Sequence, residues 1–256
     1  MIKGIFYIEA QGNHEKFVKD SLRAMVERLK KEEKVEVRGE FFDEVIKEGE
    51  NFSSMVEVEL QFEDFQTYVL TVIKYAPSAI EIREPEELAL SAEEFVRALA
   101  EIIKIAKTFY AKYSVGFKFP ERCMEKIKVS LSEDEIDALR DQGALRAKII
   151  VESKGKSEKK VANDFVNIVS DDVFVKKVKA VKVDKGKGFS GLVGIDAFMY
   201  EPKTLIDLSV RHTPVLVEIV EPNEIVLSML DIQDIGVDLA GVFFEAAQKL
   251  VLGHKV

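Results

Sequence analysis

The sequence predicts a mixed α+β protein in which one arrangement of strands and helices occurs twice. Two observations support this prediction. The stretch YAPSAIEIREPEEL (75–88) is matched by HTPVLVEIVEPNEI (212–225), which begins 137 residues later. Each half also alternates short β-type runs with helices whose apolar residues recur three and four positions apart. We therefore predict a tandem duplication whose two repeats pack together.

The match continues without a gap over 40 positions, between 52–91 and 189–228. Twelve of these positions are identical, and a long match at a constant offset is the signature of a repeat. The identical residues of the first copy are Phe52, Ser53, Val56, Thr67, Pro77, Glu81, Ile82, Glu84, Pro85, Glu87, Leu90 and Ser91. Two shorter matches at offsets of 143 and 140 flank this stretch: 8–18 with 151–161, and Leu99-Ala100 with Leu239-Ala240.

The predicted elements follow one order in each repeat. In the first repeat, the strand Ile2–Glu9 precedes a helix from His14 to Lys31, on which apolar residues form one stripe. Two β-rich stretches follow at Val35–Ile46 and Phe52–Phe62. A second helix begins after Asp64, because an aspartate side chain can accept hydrogen bonds from the first turn.

Prolines and caps set the ends of the later elements. Pro77 and Pro214 end the second helix of each repeat, because the residue before a proline avoids the right-handed α region. A short strand follows, and then a last helix that opens in the first repeat with a capping box of Ser91 and Glu94.

Each repeat is therefore β-α-β-β-α-β with a trailing α. This order of elements resembles the ferredoxin-like sandwich, a four-stranded antiparallel sheet with helices on one face. The resemblance implies the fold alone, because that fold hosts many unrelated functions.

Three segments are expected along the chain: a first repeat at 1–116, a connector at 117–143 and a second repeat at 144–256. The connector is predicted to be structured. KIKVSL (126–131) is typical of a strand, and Ser132 with Glu135 forms a capping box for a helix that ends at Gly143. We expect the trailing helices of the two repeats to supply the interface between them.

Composition narrows the class of protein. The net charge is −9, no apolar run reaches the roughly 18 residues that span a bilayer, and the single cysteine, Cys123, cannot form an internal disulfide. Abundant Lys and Glu with scarce Cys, Trp and His are typical of hyperthermophile proteins. These features predict an acidic, thermophilic, cytoplasmic protein that has no membrane association and no cofactor.

The carboxylates of the repeated motif are the first candidate site. Two of them flank the exit of the fourth strand in each repeat: Glu81 and Glu84 in the first, and Glu218 and Glu221 in the second. Brought together, they would form an oxygen-rich site for Mg²⁺ or Ca²⁺. The alternative is that each pairs with a nearby Lys or Arg or lies at a helix N-terminus. We favour the alternative, because duplicated halves tend to keep what the fold needs.

Lysines of the second repeat are the second candidate site. Arg146 to Lys187 contains 12 Lys/Arg and 6 Asp/Glu, a local balance of +6 in an acidic chain. The candidate contacts for an anion or nucleic acid are Lys154, Lys156, Lys159, Lys177, Lys179 and Lys182. The first three surround a predicted helix start that is not a P-loop, because Ile150 stands where that motif needs glycine. The last three lie on a predicted edge strand, where lysines also prevent edge-to-edge aggregation.

The sequence offers few residues for acid–base catalysis. The three histidines are His14, His212 and His254, and the sequence pairs none of them with a serine or cysteine. The sequence therefore favours a non-catalytic binding or scaffold protein over an enzyme, with a protein partner or self-association. The alternatives are a nucleic-acid-binding protein that uses the basic edge of the second repeat, and a metal-dependent enzyme or sensor that uses the repeated glutamates.

Overall fold

The computed structural model describes residues 1–113, 131–169, 173–184 and 186–253. Within these ranges it contains seven helices and several antiparallel sheets, which confirms the prediction of a mixed α+β chain. The chain divides into two compact units. The first unit comprises Met1–Ala89 with Val226–Val256, and the second comprises Leu90–Ile225.

The first unit is built on an antiparallel sheet. Its strands are β1 (Ile2–Gly12), β2 (Val35–Phe42), β3 (Ile46–Glu48), β4 (Asn51–Phe62) and β5 (Ala79–Glu84). The strand order is β2-β4-β1-β5, and β3 pairs with β4. Its helices are α1 (Glu15–Leu29), α2 (Phe65–Tyr75) and α7 (Met229–Gly253). The predicted strands and helices of this half are therefore present, with small changes at their ends.

The core of the first unit lies under α1 and α2. Alternate residues of β1 and β4 are buried, and they face the helices because successive side chains of a strand point to opposite sides. Phe6, Phe62 and Tyr68 form an aromatic cluster with ring centroids 5.4–6.2 Å apart. Asp64 caps α2 as predicted, accepting a hydrogen bond from the Thr67 backbone N–H at 2.7 Å.

The second unit has a four-stranded antiparallel sheet of its own. Its strands are β7 (Leu145–Gly155), β8 (Phe174–Lys182), β9 (Phe189–Met199) and β10 (Leu216–Glu221), in the order β10-β7-β9-β8. Its helices are α3 (Ala92–Tyr113), α4 (Glu133–Asp141), α5 (Glu158–Val169) and α6 (Pro202–His212). Pro202 occupies the first turn of α6, a position that tolerates proline. The burial patterns of β7 and β1 agree at ten of their 11 positions.

The ends of α2 and α6 differ in detail from expectation. Both helices stop two residues before Pro77 and Pro214, and the residue in between is left-handed: Ala76 has φ 43° and Thr213 has φ 41°. The residue before each proline thus avoids the right-handed α region by a left-handed cap. The two helices end by the same local geometry.

Two short strands extend the predicted elements. β6 (Glu87–Ser91) and β11 (Glu224–Ser228) form a two-stranded sheet just before the last helix of each half. Backbone N–H groups of Met229 and Ala92 donate to the carbonyls of Glu86 and Asn223, each at 2.8 Å and each within one unit. The sequence patterns did not predict these two strands.

The last helix of each half of the sequence belongs to the unit that contains the sheet of the other half. α3 follows the first sheet along the chain but packs on α6 and β10 in the second unit, whereas α7 packs on α2 and β5 in the first unit. The apolar face of each helix therefore completes the core of the unit whose sheet is formed by the other half of the sequence. No helix among the described residues is long and apolar enough to cross a membrane.

The connector is described only from residue 131. Its helix is α4, and the predicted capping box is confirmed, since Ser132 and Glu135 exchange side-chain and backbone hydrogen bonds. Gly143 follows the helix with φ 76°. The predicted strand at 126–131 lies almost entirely outside the described residues, as do Cys123 and His254.

Candidate functional site

Helix α3 forms one wall of the candidate site. The Ser91 hydroxyl and the Glu94 carboxylate make the predicted capping box at its start, with hydrogen bonds of 2.8–3.2 Å. The helix then buries one apolar face in the second unit: Phe95, Ala98, Leu99, Ile102, Ile103 and Ala106.

A groove of about 520 Å³ separates α3 from strand β10. Its walls are Val96, Leu99, Ala100, Ile103, Lys104 and Lys107 from the helix, Pro214 and Val215 just before the strand, and Leu216 and Val217 from the strand. Val215 and Leu216 are 46% and 43% exposed although both are aliphatic. β10 is the last strand in its sheet, so one edge of its backbone has no strand partner among the described residues. An open strand edge and exposed apolar side chains therefore lie side by side.

The rim of the groove is positive. Among the described residues, Lys104 and Lys107 are the only charged ones that line it. Lys107 Nζ donates to the Pro214 carbonyl at 3.3 Å, and Lys104 Nζ pairs with Glu101 at 3.1 Å. Both ammonium groups lie on exposed residues of α3. The groove thus offers apolar contact along its floor and two cations at its edge.

The corresponding place in the first unit is closed by close packing. Gly236 of α7 brings the helix against Tyr68 and Ile80, so that an added Cβ would lie 2.0 Å from Tyr68 Oη. Tyr68 Oη donates to the Ile232 carbonyl at 2.9 Å. The Gln233 side chain accepts from the Ile82 backbone N–H on β5 at 3.3 Å. α7 therefore covers β5, the edge strand of the first sheet, whereas α3 leaves β10, the edge strand of the second sheet, open.

Two residues account for this difference. Counted from the equivalent caps Ser91 and Ser228, the buried positions of α3 and α7 coincide at an offset of 137. Leu99 then stands where α7 has Gly236, and its side chain keeps α3 from approaching β10 as closely. Val96 stands where α7 has Gln233 and cannot bond to the strand edge. At the offset of 140 that aligns Leu99-Ala100 with Leu239-Ala240, the exposed Ala100 would correspond to the buried Ala240.

The predicted carboxylates of the first unit each have a basic partner. Glu81 pairs with Arg83 at 3.1 Å and accepts from Tyr7 Oη at 3.3 Å, while Glu84 pairs with Lys3 at 2.7 Å. Burial, followed by the charge of Glu81, raises the pKa of Tyr7. Both carboxylates of this unit are therefore held in local ion pairs.

The predicted carboxylates of the second unit are paired as well. Glu218 contacts Lys148 at 3.0 Å, and Glu221 contacts Arg140 at 3.0 Å and Arg146 at 3.5 Å. Arg146 also holds Asp196 through two hydrogen bonds of 2.7 and 2.8 Å, which lower the pKa of that carboxyl. This cluster connects α4 to the sheet. Among the residues that the structure describes, no three metal-ligating side chains are grouped to hold an ion.

The predicted lysines at the start of α5 lie on successive parts of the chain: Lys154 in β7, Lys156 between β7 and α5, and Lys159 in α5. Lys154, Lys156 and Lys159 are all exposed. Lys154 lines a depression of about 580 Å³, but Glu152 and Asp184 line it too. The carboxylates would oppose a phosphate held there, since like charges repel.

The predicted lysines of β8 lie on an edge strand, as expected from the sequence. Lys177, Lys179 and Lys182 are exposed, and Lys182 Nζ donates to the Gly186 carbonyl at 2.8 Å. The glycine-rich stretch after them connects β8 to β9 as a hairpin loop; Lys185 of that loop lies outside the described residues.

Sequence reasoning missed the groove and its two lysines. The signal was present as the pair Leu99 and Gly236, which differ in size at equivalent places of two amphipathic helices. It acquired meaning only once the partner of each helix was known.

A sequence profile of the MJ0538 family matches residues 3–253 of the chain. The chain belongs to the MJ0538 family. A relative from Methanocaldococcus jannaschii, named "Uncharacterized protein MJ0538", is 30% identical over 263 residues, covering 98% of this chain and 99% of the relative. No solved structure matches the chain significantly. Neither the name of the family nor the name of this relative specifies an activity.

Proposed function

We propose that the chain is a non-catalytic binding and scaffold protein, built by tandem duplication of two ferredoxin-like repeats at 1–116 and 144–256. The shared strand order of the two sheets, with the fourth strand beside the first, supports the duplication. The equal spacing of the capped last helices supports it too. Composition supports a cytoplasmic protein of a thermophile.

The groove between α3 and β10 is the proposed binding site, and its open strand edge is the observation that carries the proposal. An extended peptide can add to such an edge through main-chain hydrogen bonds, while its alternate side chains enter the groove. Val215, Leu216 and Ile103 favour apolar residues in the ligand, and Lys104 and Lys107 favour acidic ones. The ligand class is therefore an extended segment of mixed apolar and acidic residues.

The rival functions have less support. The four repeated glutamates already have basic partners, so a metal would have to displace several ion pairs. The lysines of β8 present no interleaved aromatic residues, which base stacking would use. Neither rival uses the groove.

An acetylated, amidated heptapeptide of alternating glutamate and valine is expected to bind the full chain weakly, with a Kd on the order of 10–100 μM, typical of a small interface. Fluorescence anisotropy of the labelled peptide measures the affinity. Ala100→Trp fills the groove from an exposed helix position and should abolish binding. Lys104→Glu should weaken it by at least about fivefold, because it removes an attraction of about 1 kcal/mol and adds repulsion.

Arg97→Glu is the matched control, since Arg97 is exposed on the same helix but does not line the groove. It should leave the affinity within twofold. A lysine–valine heptapeptide should bind more weakly than the glutamate–valine peptide. Equal affinity of wild type and Ala100→Trp would contradict the proposal, as would no binding at millimolar peptide.

A further inference from the structure

The sheet of the first unit has an open side that carries unpaired carboxylates. Glu9, Glu57 and Glu59 lie on the side of β1 and β4 away from α1 and α2, and no described residue forms an ion pair with them. The basic residues beside them are already engaged: Lys3 with Glu84, Arg38 with Glu36, and Arg83 with Glu81. We call this surface the acidic face.

The acidic face also has apolar material. Phe41 is 63% exposed and lies opposite Glu57 in the pairing of β2 with β4. Ile5, Tyr7 and Met55 are half-buried on the same side. The surface therefore combines unpaired negative charge with an apolar centre.

The sheet of the second unit has an open side of opposite charge. Lys154, Lys177 and Lys179 lie there, and no described residue forms an ion pair with them. The remaining charges on this side are mostly matched, Arg146 with Asp196 and Lys148 with Glu218, while Glu152 is an exposed acidic residue of the same side. We call this surface the basic face.

The basic face has apolar material as well. Half-buried Ile150 and Leu192 lie on the neighbouring strands β7 and β9, and Val181 pairs with Leu192 across β8 and β9. Gly194, opposite Lys179, leaves the middle of the surface low.

We propose that the acidic face of one copy of this chain docks on the basic face of a second copy. Charge complementarity carries the inference. Glu57 and Glu59 alternate on β4, Lys177 and Lys179 alternate on β8, and residues two apart on a strand are separated by about 6.5–7 Å. Two rows of equal spacing and opposite sign can thus pair, and complementary charge selects and orients partners.

This assembly extends the proposed scaffold role and does not depend on the groove. Each copy carries both faces, so pairing produces a closed dimer or a longer head-to-tail assembly. Charge pairing at exposed positions also makes the assembly sensitive to salt.

Sedimentation velocity of the full chain is the test. At 50 mM NaCl and 100 μM protein, we expect a mass-average above the 28.9 kDa of one chain, falling to that of a monomer at 500 mM NaCl. Glu57→Lys/Glu59→Lys makes both faces basic, and Lys177→Glu/Lys179→Glu makes both acidic. Each variant alone should be monomeric at low salt, and an equimolar mixture of the two should associate.

Several results would overturn the proposal. They are a wild type that is monomeric at 50 mM NaCl, a variant that associates as wild type does, or a mixture that stays monomeric. Increased association of Lys177→Gln/Lys179→Gln would show that these lysines only guard the strand edge. Binding of a 20-base-pair DNA duplex by a monomeric wild type, lost in that Gln variant, would assign the basic face to nucleic acid.

Two controls separate this test from others. The Lys177→Gln/Lys179→Gln variant removes two surface charges without reversing them, and circular dichroism should show that it is folded. All face variants should keep wild-type affinity for the glutamate–valine heptapeptide, so failure of self-association leaves the groove proposal standing.

Discussion

Replacing Gly236 by alanine is expected to destabilise the protein by about 3 kcal/mol. The new Cβ would lie 2.0 Å from Tyr68 Oη and 2.8 Å from Ile80 Cδ1. Tyr68 is fully buried in an aromatic cluster, so it cannot move aside freely. Overpacking costs about 1–3 kcal/mol and loss of the Tyr68 hydrogen bond another 1–3 kcal/mol, against a gain in helix propensity of about 1 kcal/mol. Urea denaturation followed by circular dichroism measures the change.

Gly241→Ala is the matched control on the same helix. No atom lies within 4 Å of the Cβ that this change adds, so it should stabilise the protein by up to about 1 kcal/mol. In a Tyr68→Phe background the cost of Gly236→Ala should shrink, because the closest atom is gone. Equal stabilities for the two alanine variants would show that α7 does not seat on α2 and β5.

A pH-dependent loss of stability is expected from His212, the last residue of α6. Its ring packs edge-on against Phe165 with centroids 5.4 Å apart, and its buried Nε2 has no hydrogen-bond partner among the described residues. Burial, followed by the positive charge of Arg211, lowers the pKa of His212 to about 4. The unfolded chain, with a histidine pKa of about 6.5, therefore binds more protons at pH 5 than the native protein does.

The sign of this effect follows directly. The contribution of neutral His212 to stability is complete above pH 6.5 and is lost as the pH falls from 6.5 towards 4. Between pH 7.5 and 4.5 wild type should lose about 2.5 kcal/mol more than His212→Phe, which cannot titrate. His14→Gln, at the exposed start of α1, should follow wild type. Identical pH profiles for wild type and His212→Phe would show that the imidazole is not buried in its neutral form.

Local structure could be predicted from the sequence because its causes are local. The strands β1 and β4, whose residues are alternately buried, were predicted from the sequence. The capping residues Asp64, Ser91 and Ser132 likewise predicted the starts of three helices. The left-handed residue before each proline could not be chosen over an extended one, because both avoid the right-handed α region.

The destination of the last helices could not be predicted. α3 and α7 are both amphipathic, and an apolar stripe states that a helix is buried without stating against which sheet. The particular partners of the repeated carboxylates could not be predicted for a related reason. Glu221 could be recognised as repeated, but its partners Arg140 and Arg146 lie 81 and 75 residues away.

Backbone amide NMR of the ¹⁵N-labelled full chain, titrated with the glutamate–valine heptapeptide, tests the central claim most directly. The open edge of β10 predicts shifts at Leu216, Val217 and Ile103, with Ile80 and Ile82 of the covered strand β5 unchanged. Shifts at β5 and none at β10, or no shifts at saturating peptide, would contradict a ligand groove between α3 and β10.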